Sequence, residues 1–147
     1  MTRVEEHAIW PRPRIEDLPQ NSATPSLMKV VAIFQWLVRL AGLTAIVLGL
    51  TFWSGHALNL VPVHMLVGLV LVLSLWSLAS IAAFVRVHSG LVIVAFVWCF
   101  VVPTLGLMQD GLVPGGAHWT IRLLHLFFGL IAIGLGEVLA WRLRVSA

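Results

Sequence analysis

Hydrophobic and polar positions divide the chain into a polar first stretch followed by four long apolar runs. The runs cover about residues 31–53, 63–85, 90–108 and 121–141. A run of at least ~18 apolar residues is long enough to cross the hydrocarbon core of a bilayer as an α-helix. The pattern therefore predicts an all-α membrane protein with four transmembrane helices.

Composition supports this class and excludes others. Of 147 residues, 60% are hydrophobic and only 10% are charged, too few to cover the surface of a soluble domain. The first run is too long and begins too far into the chain for a secretory signal. Cys99 is the single cysteine, so an internal disulfide is excluded. We expect an integral protein whose surroundings are the lipid bilayer, in a bacterial inner membrane.

The positive charges predict the orientation. Eight of the nine basic residues lie before or early in helix 1, at the turn after helix 2, or after helix 4; only Arg122 belongs to the other side. By the positive-inside rule, both termini and the 86–89 turn are cytoplasmic, whereas the 54–62 and 109–120 connections face outward. The net charge of +3 follows from this topology, so we expect no nucleic-acid partner.

Prolines separate a tail from the membrane domain. Residues 1–28 contain Pro11, Pro13, Pro19 and Pro25, which forbid a long helix. We therefore divide the chain into a cytoplasmic, proline-rich tail (1–28) and a four-helix transmembrane domain (29–147). The tail is either solvated or held by another subunit or the membrane surface.

The membrane domain reads as two tandem α-hairpins. Each hairpin has the triplet Leu-Gly-Leu (48–50 and 105–107), then a connection, a histidine, a second histidine and a glycine. The stretches are GHALNLVPVHMLVG (55–68) and GAHWTIRLLHLFFG (116–129). The simplest packing is an up-down bundle with helices 2 and 4 on a diagonal.

His64 and His125 are the main candidates for chemistry. Each lies about one turn inside the outer end of its helix, and an ionisable side chain at membrane depth is a functional candidate. At matching depth on diagonal helices, the two rings would face each other across the bundle axis. Imidazole is a good ligand for iron, copper and zinc, and two imidazoles could ligate one haem iron from opposite faces of the macrocycle.

Nearby residues could accommodate such a macrocycle. Gly68 and Gly129 follow their histidines by four residues, so they lie one turn deeper on the same face and could leave room for its inner edge. The alternative is that these glycines only allow close helix packing. Arg122, three residues before His125, could bind the propionates, or it could be an interfacial arginine.

His56 and His118 are too close to the pair for a second haem, because seven helical residues rise only ~10 Å. We expect one haem, with both histidines near its propionates. The alternative is a copper or zinc site built from His56, His64, His118 and His125. At the cytoplasmic end, Glu137 and Arg39 could form an ion pair between neighbouring helices; a proton-relay or quinone-site role for Glu137 stays open.

The arrangement of His64 with Gly68 and of His125 with Gly129, within about 55–137, resembles the membrane-embedded b-type cytochromes. In these proteins, histidines on a four-helix bundle clamp haem b. The resemblance implies a membrane b-type haem protein or electron-transfer subunit that exchanges electrons with quinone or an outer-face redox protein. Many such cytochromes hold two haems, one per leaflet, and this chain has histidines for the outer one only.

A second class of function remains open. The chain could be a non-catalytic accessory subunit of a larger membrane complex or a homo-oligomer, in which the histidines bind water, lipid or a partner. An independent enzyme is not expected, since the sequence contains no hydrolytic triad, phosphate loop or carboxylate pair.

Overall fold

The computed structural model describes residues 25–113 and 115–146, and this part of the chain is helical without strands. Four α-helices follow one another along the chain: α1 (Pro25–Trp53), α2 (Val61–Phe84), α3 (Ser89–Met108) and α4 (Trp119–Val145). Short 3-10 turns at Leu58–Leu60 and Gln109–Gly111 lie in the longer connections. All four helices are long and apolar enough to cross a membrane, so the prediction of four membrane-length helices is confirmed.

Proline and arginine explain two of the helix ends. α1 begins at Pro25, four residues before the expected start of the membrane domain, because proline is well tolerated in the first turn of a helix. Pro62 occupies the same kind of position in α2. α4 continues to Val145 with Arg142 and Arg144 in its last turn, where positive charge stabilises the helix C-terminus. The rest of the predicted tail, residues 1–24, lies outside the described residues.

Each helix packs against the next one, and α4 packs back on α1. α2 also contacts α4, whereas α1 and α3 meet at few residues or none. Helices α2 and α4 therefore lie across the short diagonal of a four-helix arrangement. Both candidate histidines are on this pair of helices, His64 on α2 and His125 on α4.

The two ends of this arrangement are packed differently. We call the end that carries the 54–60 and 109–118 connections the histidine end, and the end that carries the 85–88 turn the turn end. All the buried positions of α1 lie at or before residue 42, and those of α3 at or before 102. Those of α2 begin at 71, and those of α4 at 132. The tightly packed core is therefore at the turn end, and described residues at the histidine end are at most half-buried.

Two glycines bring α1 and α4 together at the turn end. A Cβ atom on Gly136 would lie 2.8 Å from Val38 Cγ1, and one on Gly42 would lie 2.5 Å from Ile133 Cδ1. Each helix thus receives an aliphatic side chain of the other above a glycine. Close approach above small residues is how helices gain van der Waals contact in lipid, where the hydrophobic effect does not drive them together.

A polar cluster joins the same two helices. Arg39 Nε donates to Glu137 Oε1 at 2.7 Å, and its Nη2 donates to Oε2 at 2.8 Å. Gln35, which is buried, donates from Nε2 to Glu137 Oε2 at 2.6 Å and accepts a hydrogen bond from Arg144. The predicted ion pair between Arg39 and Glu137 is confirmed. The cluster reaches further than expected because Gln35 connects the pair to Arg144.

Candidate functional site

His64 and His125 come together at the histidine end. Their ring centroids are 6.3 Å apart, and the ring planes are inclined by 58°. Both side chains are half-buried. The two rings thus lie close together, as their matched depth on diagonal helices predicts, although they are tilted and not stacked; their role as metal ligands stays a prediction.

Both imidazoles have a buried nitrogen with no hydrogen-bond partner. Within the described residues, Nδ1 of His64 and Nδ1 of His125 are the buried side-chain atoms left without one. A buried polar group without a partner costs about 1–3 kcal/mol. Both unpartnered atoms lie on the two adjacent rings at the histidine end.

Each histidine ring lies against a glycine of the preceding helix. A Cβ atom on Gly106 of α3 would lie 2.9 Å from His125 Cε1, and one on Gly49 of α1 would lie 3.8 Å from His64 Cε1. Phe52 adds an edge-on ring contact to His64, with centroids 5.5 Å apart. Both glycines are the central residues of the two Leu-Gly-Leu triplets, so the repeat in the sequence corresponds to a repeated contact in the structure.

Gly68 and Gly129 face open space. No atom lies within 4 Å of the position that a Cβ would take on either residue. Close packing of a neighbouring helix, the alternative role of Gly68 and Gly129, is therefore seen at Gly42 and Gly136 and not at these two residues. Each histidine is therefore followed, one turn further along its helix, by a position with no neighbouring atoms.

The remaining candidates lie around the connections. Arg122 is exposed on α4, one turn nearer the helix start than His125. His118 lies at the start of α4, with its Nδ1 3.3 Å from the Leu112 carbonyl oxygen. Since a carbonyl only accepts, this Nδ1 carries the proton. His56 is exposed, and its Nδ1 lies 3.1 Å from the Ser54 hydroxyl.

The described residues at the histidine end do not form a metal site made of protein ligands alone. Within residues 25–113 and 115–146, no three His, Cys, Asp or Glu side chains form a group that could hold a metal ion. The four-histidine copper or zinc site is therefore not assembled in the described part of the chain. A haem needs only two protein ligands, because the macrocycle supplies the other donors.

The spacing of the rings suits two axial ligands of one metal. With metal–imidazole bonds of about 2.0–2.1 Å, rings on opposite sides of a metal have centroids roughly 6.4 Å apart. The observed 6.3 Å agrees with this value. The centroid distance and the two unpartnered nitrogens are compatible with two imidazoles on one metal ion.

No protein-family model, curated protein or solved structure matches this chain.

Sequence reasoning missed the contacts behind the histidines. Gly49 and Gly106 were visible as the centres of the two repeated triplets, and Phe52 as an aromatic residue near the end of α1. Their contacts with the rings depend on how α1 and α3 are rotated about their axes. Trp98 was also missed: its Nε1 donates to the Phe128 carbonyl at 2.9 Å, which ties α3 to α4 next to the site.

Proposed function

We propose that this chain is a membrane b-type haem protein that serves as an electron-transfer subunit, with His64 and His125 ligating one haem b between α2 and α4. The observation that carries the proposal is the pair of buried Nδ1 atoms without partners, on rings whose centroids are 6.3 Å apart. Neutral imidazole binds iron through a ring nitrogen. The iron would be ligated by the Nδ1 atoms of the two histidines, which are buried in the fold.

The other site residues have separate roles. Gly68 and Gly129 leave room for the inner edge of the macrocycle. At the opposite edge, Arg122 offers a fork of N–H donors for a propionate carboxylate. His118, whose Nδ1 lies beside the Leu112 carbonyl oxygen, and His56 are further polar groups near that edge.

The chemistry follows from the ligand set. Haem held by His64 and His125 would supply an iron that gains and loses one electron, and both histidines would occupy positions that oxygen would otherwise need. The protein would therefore transfer electrons and would not activate oxygen. The apolar helices keep water away from the rings, and the polar edge faces the connections.

We also propose how the chain lies in the membrane. Both termini and the 85–88 turn are cytoplasmic, and the histidine end is at the outer face of a bacterial inner membrane. The four helices form an up-down bundle of two tandem α-hairpins. The distribution of basic residues supports this orientation. Electron partners would be quinone or an outer-face redox protein, and other subunits or a second copy would complete the assembly.

The test is the absorption spectrum of the full chain, expressed with ample haem and purified in detergent. We expect a Soret band and sharp α-bands after reduction. His64→Ala and His125→Ala should each remove the low-spin signal, whereas His88→Ala, in the exposed turn at the opposite end, should keep it. Wild-type protein without a Soret band would refute the proposal and favour an accessory subunit. Bound copper or zinc without haem would favour metal handling.

Gly129→Leu tests whether haem binding needs the open space beside Gly129 in addition to the two histidine ligands. The leucine side chain would enter the space that is open beside Gly129. We expect loss of haem with unchanged helix content by circular dichroism. Full haem binding by this variant would show that the macrocycle does not lie one turn below His125.

A further inference from the structure

We infer that Gly106 is a positioning residue for His125, because only a residue without a side chain leaves the imidazole in its place against α3, and that Gly49 does the same for His64 less strictly, by excluding side chains larger than alanine. The inference rests on the proposed haem function and assigns a role to two residues that do not touch the cofactor. The repeat supports it, because each hairpin places one Leu-Gly-Leu glycine behind its own histidine ring.

The distances show how closely each ring is seated. A Cβ atom on Gly106 would meet three atoms of the His125 ring, Cε1 at 2.9 Å and Nδ1 and Nε2 at 3.6 Å each. The ring therefore points its Cε1 edge at the α3 backbone with both nitrogens at equal distance. Any side chain at position 106 must move the ring that would bind iron.

His64 is seated less tightly. A Cβ on Gly49 would lie 3.8 Å from His64 Cε1, an ordinary van der Waals contact. Alanine should therefore be tolerated at position 49, whereas a larger side chain should displace the ring. The two equivalent positions of the repeat therefore differ in the side-chain size that they should tolerate.

Helix α3 contains a feature that bears on the tighter contact. Pro103 lies inside the helix, three residues before Gly106. Proline has no backbone N–H, so the turn leading to Gly106 lacks the hydrogen bond to the carbonyl of residue 99. Such positions are where helices bend, which would let the end of α3 lie against the His125 ring.

The experiment compares Gly106→Ala, Gly49→Ala and Gly49→Val with a matched control, Gly134→Ala. Gly134 lies in α4, is exposed, and has no atom within 4 Å of its Cβ position. Haem is titrated into the full-length apoprotein in detergent. The low-spin electron paramagnetic resonance spectrum and the midpoint potential are then recorded for each haem-bound variant.

We expect Gly106→Ala to lower haem affinity about tenfold or more, as changes behind metal ligands do, and to shift both the g-values and the midpoint potential. Gly49→Ala and Gly134→Ala should match the wild type, and Gly49→Val should behave like Gly106→Ala. Helix content by circular dichroism should be equal in all four variants.

The outcomes separate this inference from the proposed function. If wild-type protein binds no haem, the function fails and the inference fails with it. If wild-type protein binds haem and Gly106→Ala has unchanged affinity, g-values and potential, the inference is overturned and the function stands. Should Gly106→Ala fail to fold, Gly49→Val decides, and wild-type behaviour of that folded variant overturns the inference.

Discussion

Gly136→Ala should destabilise the helix bundle by forcing a methyl group into a close contact between α1 and α4. The added Cβ would lie 2.8 Å from Val38 Cγ1 and 3.2 Å from Cγ2. Val38 is completely buried, and a valine in a helix has one strongly preferred rotamer. The valine side chain therefore cannot turn aside, and the two helices must separate slightly.

Two effects of opposite sign determine the magnitude. Overfilling a packed core costs about 1–3 kcal/mol. Replacing a mid-helix glycine by alanine stabilises the helix by roughly 0.5–1 kcal/mol. The expected net loss in the free energy of unfolding is about 1 kcal/mol. Gly134→Ala receives only the second effect, because nothing lies near its Cβ position, so this control should be neutral or more stable.

The assay is unfolding of the detergent-solubilised protein by increasing mole fraction of sodium dodecyl sulfate, followed by circular dichroism. A double-mutant cycle with Val38→Ala isolates the contact. Val38→Ala removes the two methyl groups that the new Cβ would meet, so the double variant should be more stable than the sum of the single effects predicts. The contact between Val38 and Gly136 would be refuted if Gly136→Ala were as stable as Gly134→Ala, or if the two changes were additive.

Three further predictions concern other parts of the chain. Glu137→Gln should lower stability in the same assay, because Arg39 loses its ion pair; adding Arg39→Gln should restore part of the loss, and no restoration would contradict the pairing. A cysteine at Gly116, which is preferable to Gly115 because Gly115 has a φ of +95°, should react with an impermeant reagent from outside; labelling only from the cytoplasm would reverse the topology. His118→Ala should keep the low-spin haem but shift its potential; loss of the haem would make His118 a ligand.

The helices could be predicted because their cause is local. A long apolar run has few alternatives to a membrane-length helix, and the ends of the predicted runs agree with those of the observed helices to within six residues. The meeting of His64 with His125 followed from their matched depth on diagonal helices. The ion pair between Arg39 and Glu137 followed in the same way, since helices 1 and 4 are neighbours in the simplest bundle.

Contacts that depend on helix rotation could not be predicted. Gly68 and Gly136 are both glycines in apolar surroundings, yet one faces open space and the other receives Val38. The sequence does not distinguish them, because the difference arises from which face α1 turns toward α4. Gln35 is likewise an isolated polar residue in an apolar run, and only the arrangement of α1 and α4 brings it to both Glu137 and Arg144.

The division of the molecule into two ends suggests a division of roles. At the turn end, Gly42 and Gly136 receive side chains of the facing helix, the polar cluster around Glu137 is hydrogen-bonded, and the fully buried side chains gather, which is what stability requires. At the histidine end, two buried nitrogens lack partners and two glycines face open space, so local rules of packing and polar satisfaction are broken. Such breaks are expected where a protein carries out its function. Changes at the turn end should therefore alter unfolding without altering a haem spectrum, and changes around the histidine pair should do the reverse.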